Sequence, residues 1–279
     1  MPQLLYCEFV SILLILGNNS PLMKLADTHA HLYLPEFNDD RKEVVERSLA
    51  AGVDKILLPN INGDSLRPML DLCADFPKNC FPMIGLHPTS VNTGYEEALG
   101  TLFATVETHQ FVAVGEVGID LYWDKTYLKE QLEALERQIE FALINDLPVA
   151  IHTRDAMAEI FDMLESFRGR GPRGVLHAFS GDPSDARKAV DAGFMVGIGG
   201  PVTYKKSTQA EVVKYIGTEH IVLETDSPYL SPVPFRGKRN ESSYIRAINE
   251  KVASILGISP EDTALITYRN SCKLFGLEC

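Results

Sequence analysis

Positive charge is in short supply. The 279 residues carry 26 Lys and Arg against 38 Asp and Glu, a formal charge of −12 at pH 7. That deficit excludes a basic coat that binds nucleic acid indiscriminately. It leaves room for a local basic groove, or for an acidic site neutralised by bound cations. Cysteine is scarce as well: Cys7, Cys73, Cys80, Cys272 and Cys279 form no CxxC pair. Neither a zinc–thiolate site nor a disulfide framework is expected, and a reducing, cytoplasmic setting follows. No apolar run is long enough to cross a bilayer, which takes about 20 residues. The run from Phe9 to Gly17 (FVSILLILG) is far shorter, Glu8 precedes it, and the first basic residue is Lys24, so it lacks the charged flank of a secretory signal. Met23 opens MKLADTHAHL, which reads as a β-strand. Met23 is therefore the expected natural start and residues 1–22 an upstream extension, a weak targeting segment being the alternative. No repeat or low-complexity linker divides residues 23–279, so a single domain is expected.

After Met23, short apolar runs alternate with amphipathic stretches. The strand candidates are 25–31, 55–60, 82–87, 111–119, 148–152, 175–177, 194–198 and 221–224. Continuous Val, Ile, Leu and Phe runs of this kind suit strands buried on both faces of a parallel sheet. Between them, Leu128, Leu132, Leu135, Ile139 and Leu143 recur at helical spacing, with Lys129, Glu133, Glu136 and Glu140 off the stripe. Asp39 or Asp40 can cap the helix after the first strand, and Gly52 follows its end. Further helices are expected over 64–75, 95–108, 155–166, 183–192, 207–216, 241–256 and 260–274. Such alternation gives either an open doubly wound sheet or a closed (β/α)8 TIM barrel, an α/β architecture. No GxGxxG follows the first strand, which weighs against the nucleotide-binding sheet.

The histidines and carboxylates favour the barrel. His29 and His31 end the first candidate strand, His87 the third, His152 the fifth and His177 the sixth. Glu116 lies toward the end of the fourth, and Asp226 just after the eighth. In a barrel all these C-terminal ends converge on one mouth, where active sites are built. A lone strand histidine is more often a hydrogen-bonded core residue. His29, His31, Glu116, His152, His177 and Asp226 at the same ends of five strands are not explained by packing, and bound metal ions would offset the cost of gathering them. Period-2 geometry puts His29 and His31 on one strand face, able to grip one ion. His109 and His220 fall toward the opposite face and receive no role.

The segments DTHAHL (27–32), GLHP (85–88), GEVGIDLYWD (115–124), PVAIHTRDA (148–156), LHAFSG (176–181) and LETDSPYLSPVPFRGKRNE (223–241) resemble the TatD family of metal-dependent deoxyribonucleases. The resemblance implies a two-metal site. Glu116 bridges the ions; His29, His31 and Asp226 complete one site, and His152 and His177 the other. It also implies hydrolysis of DNA, as a 3′-to-5′ exonuclease on single strands, with RNA as the alternative to DNA left open. The chain departs from the family pattern at Tyr33, where Asp or Asn is usual, at Thr89, often His, and at Ser242, usually Pro.

Imidazole and carboxylate ligands suit Mg, Mn, Zn or Ni. Two ions about 3.5–4 Å apart can stabilise the attacking and leaving oxygens of a phosphodiester and generate hydroxide near neutral pH. An activated water is then the expected nucleophile, with Asp226 orienting it and accepting its proton. Arg154 is placed to hold a phosphate, a salt bridge to Asp155 being the alternative. Lys205, Arg236, Lys238 and Arg239 follow the last strands on the same rim and can track a single strand of DNA. Tyr229, Phe235, Tyr122 or Trp123 offer stacking surfaces. His87 is either a phosphate contact or a structural hydrogen-bonder. Rival readings are a metallo-barrel hydrolase acting on a small phosphoester, lactone or amide, and a non-catalytic binding protein. The bridging carboxylated lysine of many such barrels has no counterpart in the fourth strand, and all six proposed ligands are present. A monomer without membrane partners is expected.

Overall fold

The computed structural model describes residues 23–279, so the expected extension 1–22 lies outside the described residues. The barrel expectation holds. Eight parallel strands pair in chain order: β1 (Leu25–Asp27), β2 (Val53–Pro59), β3 (Cys80–Ile84), β4 (Ala113–Asp120), β5 (Val149–Arg154), β6 (Gly174–Leu176), β7 (Phe194–Ile198) and β8 (Ile221–Leu223). Between them run α1 (Arg41–Ala50), α2 (Gly63–Asp75), α3 (Tyr95–Ala104), α4 (Leu128–Ile144), α5 (Met157–Ser166), α6 (Pro183–Asp191) and α7 (Gln209–Ile216). The helices α8 (Ile245–Leu256) and α9 (Pro260–Phe275) end the chain. None of the helices among the described residues is long and apolar enough to cross a membrane.

Alternation along each strand sorts its residues between two cores. Outward-facing Ile56, Leu58, Ile84, Val114, Val117, Ile119, Ile151, Val196 and Ile198 pack beneath the helices. Leu57, Met83, Ala113, Ala150, Val175 and Val222 form a second, smaller cluster with Leu274 and Phe275 at the end of α9. The barrel is thus filled and closed at its N-terminal end, and only the opposite mouth is free for chemistry. In α4, Leu135 and Ile139 are buried as the stripe requires. Two buried glutamines on the same helix, Gln131 and Gln138, bond the backbone of Asp120 and Leu86, fastening the helix to the exits of β4 and β3.

Two local features aim residues into the mouth. Pairing of β4 with β5 slips between Val114 and Val117. Without the slip Glu116 would share the outward face of Val114; with it, both valines stay in the outer core and Glu116 turns inward. Gly118 has φ +142°, and a Cβ there would lie 2.0 Å from the His152 carbonyl oxygen. Only glycine lets β5 come that close.

The seam between β8 and β1 departs from the expected strand 25–31. Regular pairing of β1 stops at Asp27. Beyond it the chain is stitched across the seam: Thr28 N–H donates to Leu223 O at 3.1 Å, Asp226 N–H to His29 O at 2.8 Å and His31 N–H to Ser227 O at 2.7 Å. Buried Asp27 accepts from Thr225 N–H at 2.9 Å and from its hydroxyl at 2.6 Å. Similarly, β3 stops before His87, which instead accepts from Thr89 N–H and caps the turn Pro88–Ser90. Asp40 does occupy the N-cap position of α1, but its carboxylate makes no cap bond; it is taken up by Arg47 and Arg239.

Candidate metal centre

Glu116 is the hub of the mouth, turning one carboxylate oxygen to each side. Its Oε2 lies 3.0 Å from His29 Nε2 and 3.4 Å from His31 Nε2, and these two nitrogens are 3.2 Å apart. Its Oε1 lies 2.8 Å from His152 Nδ1, 3.3 Å from His87 Nε2 and 3.7 Å from His177 Nε2. Asp226 Oδ1 closes the outer side, 3.7 Å from His31 Nε2 and 3.9 Å from His177 Nε2. Asp226 holds φ +57°, a strained backbone position of the kind found at functional sites.

These separations fit a metal. Ligand atoms about 2.0–2.2 Å from one ion at tetrahedral angles stand about 3.3–3.5 Å apart. The triangle of His29, His31 and Glu116 Oε2 has edges of 3.0 to 3.4 Å. Three groups have donor atoms within 4.8 Å of one another: His29–His31–Glu116, His87–Glu116–His152 and His29–His177–Asp226. All six expected ligands are therefore brought together. His177 Nε2 stands 3.7 Å from the Glu116 oxygen that faces His152, the side the resemblance implies for it, and 3.9 Å from Asp226 Oδ1, so it reaches both sides. His177 stacks on His29 with ring centroids 3.3 Å apart, against 6.5 Å from His152. His87, expected at the substrate or in a structural hydrogen bond, stands within the cluster at Glu116 Oε1.

Electrostatics points the same way. Burial would raise Glu116, but the facing His87 and His29 hold it well below the usual carboxylate range. Burial would lower His152, yet Asp120 and Glu116 lift it to about 9. Burial also works against charge on His177, which Glu224 and Glu116 lift to about 10. Asp226 is pushed up to about 6 by burial, with His177 and His31 opposing. The clustered carboxylates thus draw protons onto two imidazoles, a positive charge that a divalent cation supplies instead.

With that geometry in view, comparison with known families is decisive: residues 26–276 match the model of TatD-related DNases. The chain belongs to the TatD-related DNase family. A Bacillus subtilis relative named uncharacterized metal-dependent hydrolase YabD is 34% identical over 252 residues, covering 90% of this chain and 98% of its own. The 3′-5′ ssDNA/RNA exonuclease TatD of Citrobacter rodentium is 31% identical, over 90% of this chain and 97% of its own. The crystal structure of YjjV, the TatD homolog of Escherichia coli K12, superposes with a TM-score of 0.86 at 27% identity, covering 92% of this chain and 100% of that one. This member of the TatD family is accordingly a metal-dependent hydrolase.

Three further residues of this TatD-family site carry roles that strand-end reading misses. Asp120 Oδ2 lies 3.1 Å from His152 Nε2; it shares the inward face of Gly118, which period-2 counting could have marked. Glu224 Oε2 lies 3.1 Å from His177 Nδ1, while its other oxygen accepts from Ala178 N–H at 2.6 Å. Tyr33, the departure noted after HxH, is buried against His31. Its hydroxyl donates to Pro59 O at 2.5 Å, and a carbonyl can only accept. The Tyr33 oxygen therefore accepts from His31 Nδ1–H at 2.9 Å, which leaves the His31 Nε2 lone pair for the cluster.

Around the rim, the Arg154 guanidinium lies 3.9 Å from the Tyr122 ring centroid, and among the described residues it has no ion-pair partner. Arg236 rests over Tyr204 at 4.5 Å. Lys205 and Lys238 are exposed. Arg239 is committed elsewhere: it donates to both Asp40 oxygens, at 2.8 and 2.7 Å, and to Glu36 O. Its charge ties the loop after β8 to the start of α1 and is not free for a phosphate.

Proposed function

We propose that this hydrolase cleaves phosphodiester bonds of single-stranded DNA, working from the 3′ end, with RNA as a second substrate. The observation that carries the reading is Glu116, whose two oxygens each face a separate set of imidazoles; the exonuclease name of the Citrobacter rodentium relative supports it. His29, His31, Glu116 and Asp226 would hold one divalent ion; Glu116, His152 and His177 would hold the other, while His87, whose Nδ1 accepts from Thr89 N–H, carries its proton on Nε2 and donates to Glu116 Oε1. When bound, such ions supply charge stabilisation for the attacking and leaving oxygens and an acidified water.

The protein's own groups do the rest. Asp226 is the solvent-reached carboxylate of the cluster, its side chain 16% exposed against 3% for Glu116. It orients the attacking water and takes its proton as the phosphorus–oxygen bond to the leaving nucleotide breaks. Asp120 holds His152 and Glu224 holds His177, so the rings keep their aim. Arg154, Lys205, Arg236 and Lys238 meet phosphates along the strand without reading bases.

The test strips the purified protein of metal, restores Mg, Mn, Zn or Ni singly, and follows end-labelled single-stranded DNA. Asp226→Asn is expected to lose hydrolysis by about 100-fold or more with its fold intact by circular dichroism. Equal hydrolysis by variant and parent overturns the assignment.

A further inference from the structure

Beside the metal centre, on the Glu116 Oε1 side, lies a cavity of about 310 Å³ that the chemistry above does not use. The turn Pro88–Ser90 with Val91 and Asn92 forms one wall. Trp123, Asp124 and Tyr127 form the other, and Asp120 and Gln131 lie at its base. Trp123 is 70% exposed, although an aromatic ring of that size gains most from burial. Tyr122 beside it is 55% exposed, so the two rings form a contiguous exposed aromatic patch at the cavity, of the kind that marks a contact site.

The loop that carries Trp123 is built, not slack. Asp120 Oδ1 accepts from Tyr122 N–H at 3.0 Å and from Trp123 N–H at 3.4 Å, while Oδ2 faces His152. One carboxylate thus fixes the cluster on one side and the aromatic loop on the other. The Tyr122 and Trp123 rings stand at 89°, centroids 4.9 Å apart. The Arg154 guanidinium lies 3.9 Å from the Tyr122 ring and 5.3 Å from that of Trp123. Tyr122 is therefore spent on holding the cation, and Trp123 is left as a wall of the cavity.

We infer that this cavity is a subsite for one unpaired nucleobase of the substrate, stacked on Trp123, with its phosphate shared between Arg154 and the metal centre. The inference rests on the phosphodiesterase reading and adds to it where the base beside the cleaved bond goes. A π-face accepts any base. The Ser90 hydroxyl and the Asn92 amide NH2 can donate at the base edge, and the Thr89 hydroxyl, whose proton goes to His87 Nδ1, can accept there. The subsite therefore selects for an unstacked base, which a duplex does not present, and not for a particular sequence.

Trp123 is the single tryptophan of the chain, so tryptophan emission, excited selectively over the tyrosines, reports on this wall alone. The experiment titrates the metal-loaded protein with a short oligothymidylate bearing hydrolysis-resistant phosphorothioate linkages, and with the same backbone made of abasic residues. Binding is followed in parallel by anisotropy of an end label. The base-bearing strand is expected to quench Trp123 saturably and to bind roughly 10- to 100-fold more tightly than the abasic strand. Trp123→Ala should remove most of that difference, and Trp123→Phe, which keeps a stacking ring, should restore much of it. Binding of the oligothymidylate without quenching, or equal affinity for the two strands, overturns the subsite even if DNA is cleaved. Quenching by a strand whose ordinary phosphodiester counterpart is never cut leaves the subsite standing and removes the nuclease reading. A strand that neither binds nor is cut removes both.

Discussion

Replacing Tyr33 by Phe removes one oxygen and keeps the ring, so no cavity opens in the core around it. That oxygen makes two buried bonds, accepting from His31 Nδ1 at 2.9 Å and donating to Pro59 O at 2.5 Å. The variant leaves the His31 N–H and the Pro59 carbonyl without partners, and a buried unsatisfied polar group costs about 1–3 kcal/mol. The effect on metal is more specific. Once Nδ1 has no acceptor, the proton and the ring are no longer fixed, and Nε2 is aimed at the cluster for less of the time. Loss of such an orienting partner lowers metal affinity about 10- to 100-fold, or about 1.4–2.8 kcal/mol at about 1.4 kcal/mol per factor of ten. Competition with a chromophoric chelator measures the affinity, and urea unfolding in excess chelator measures the metal-free stability. Metal affinity within about twofold of the parent, a difference of about 0.4 kcal/mol, refutes the claim that Tyr33 orients His31.

Three further outcomes follow from the rim and the α1 clamp. Asp40 is held down to about 2, from 3.8, by its bonds from Arg239 and Arg47. Because the folded value is the lower one, its contribution is full above the unfolded value and is lost as pH falls through the folded one. The stability difference between the parent and Asp40→Asn should therefore shrink between those two pH values in acid urea titrations; a constant difference refutes it. Lys238→Ala should weaken single-stranded DNA binding and reduce the slope of log affinity against log salt by about 1, whereas Arg239→Ala should lower the melting temperature, its guanidinium being bound to Asp40. An unchanged slope for the lysine variant removes it from the DNA track.

Much of the architecture is legible in the chain because parallel strands buried on both faces write themselves as unbroken apolar runs. The expected strand 194–198 and the observed Phe194–Ile198 coincide, and helices 183–192 and 260–274 differ from α6 and α9 by one residue each. The six expected ligands meet in space because histidines and acids at strand ends have one place to go in a barrel. The ends of strands are harder to read. The run 25–31 looks like one strand, but only Leu25–Asp27 pairs regularly, since the rest bonds alternately to both neighbours across the seam. Glu116 faces inward through a slipped register, which composition does not encode. Asp120, Glu224 and Tyr33 act through other side chains, and a residue that only aims its neighbour leaves no spacing motif. The stacking of His177 on His29 joins residues 148 positions apart in number and so is invisible along the chain.

The stitched seam also bears on how the molecule comes into being. The imidazole pair leaves the ribosome almost at once, while the carboxylate that completes the cluster, and the backbone that grips His29 and His31, arrive only after Leu223. Contacts spanning such separations form late in folding. A chain that ends anywhere before Asp226 therefore lacks both a member of the cluster and the seam that grips His29 and His31.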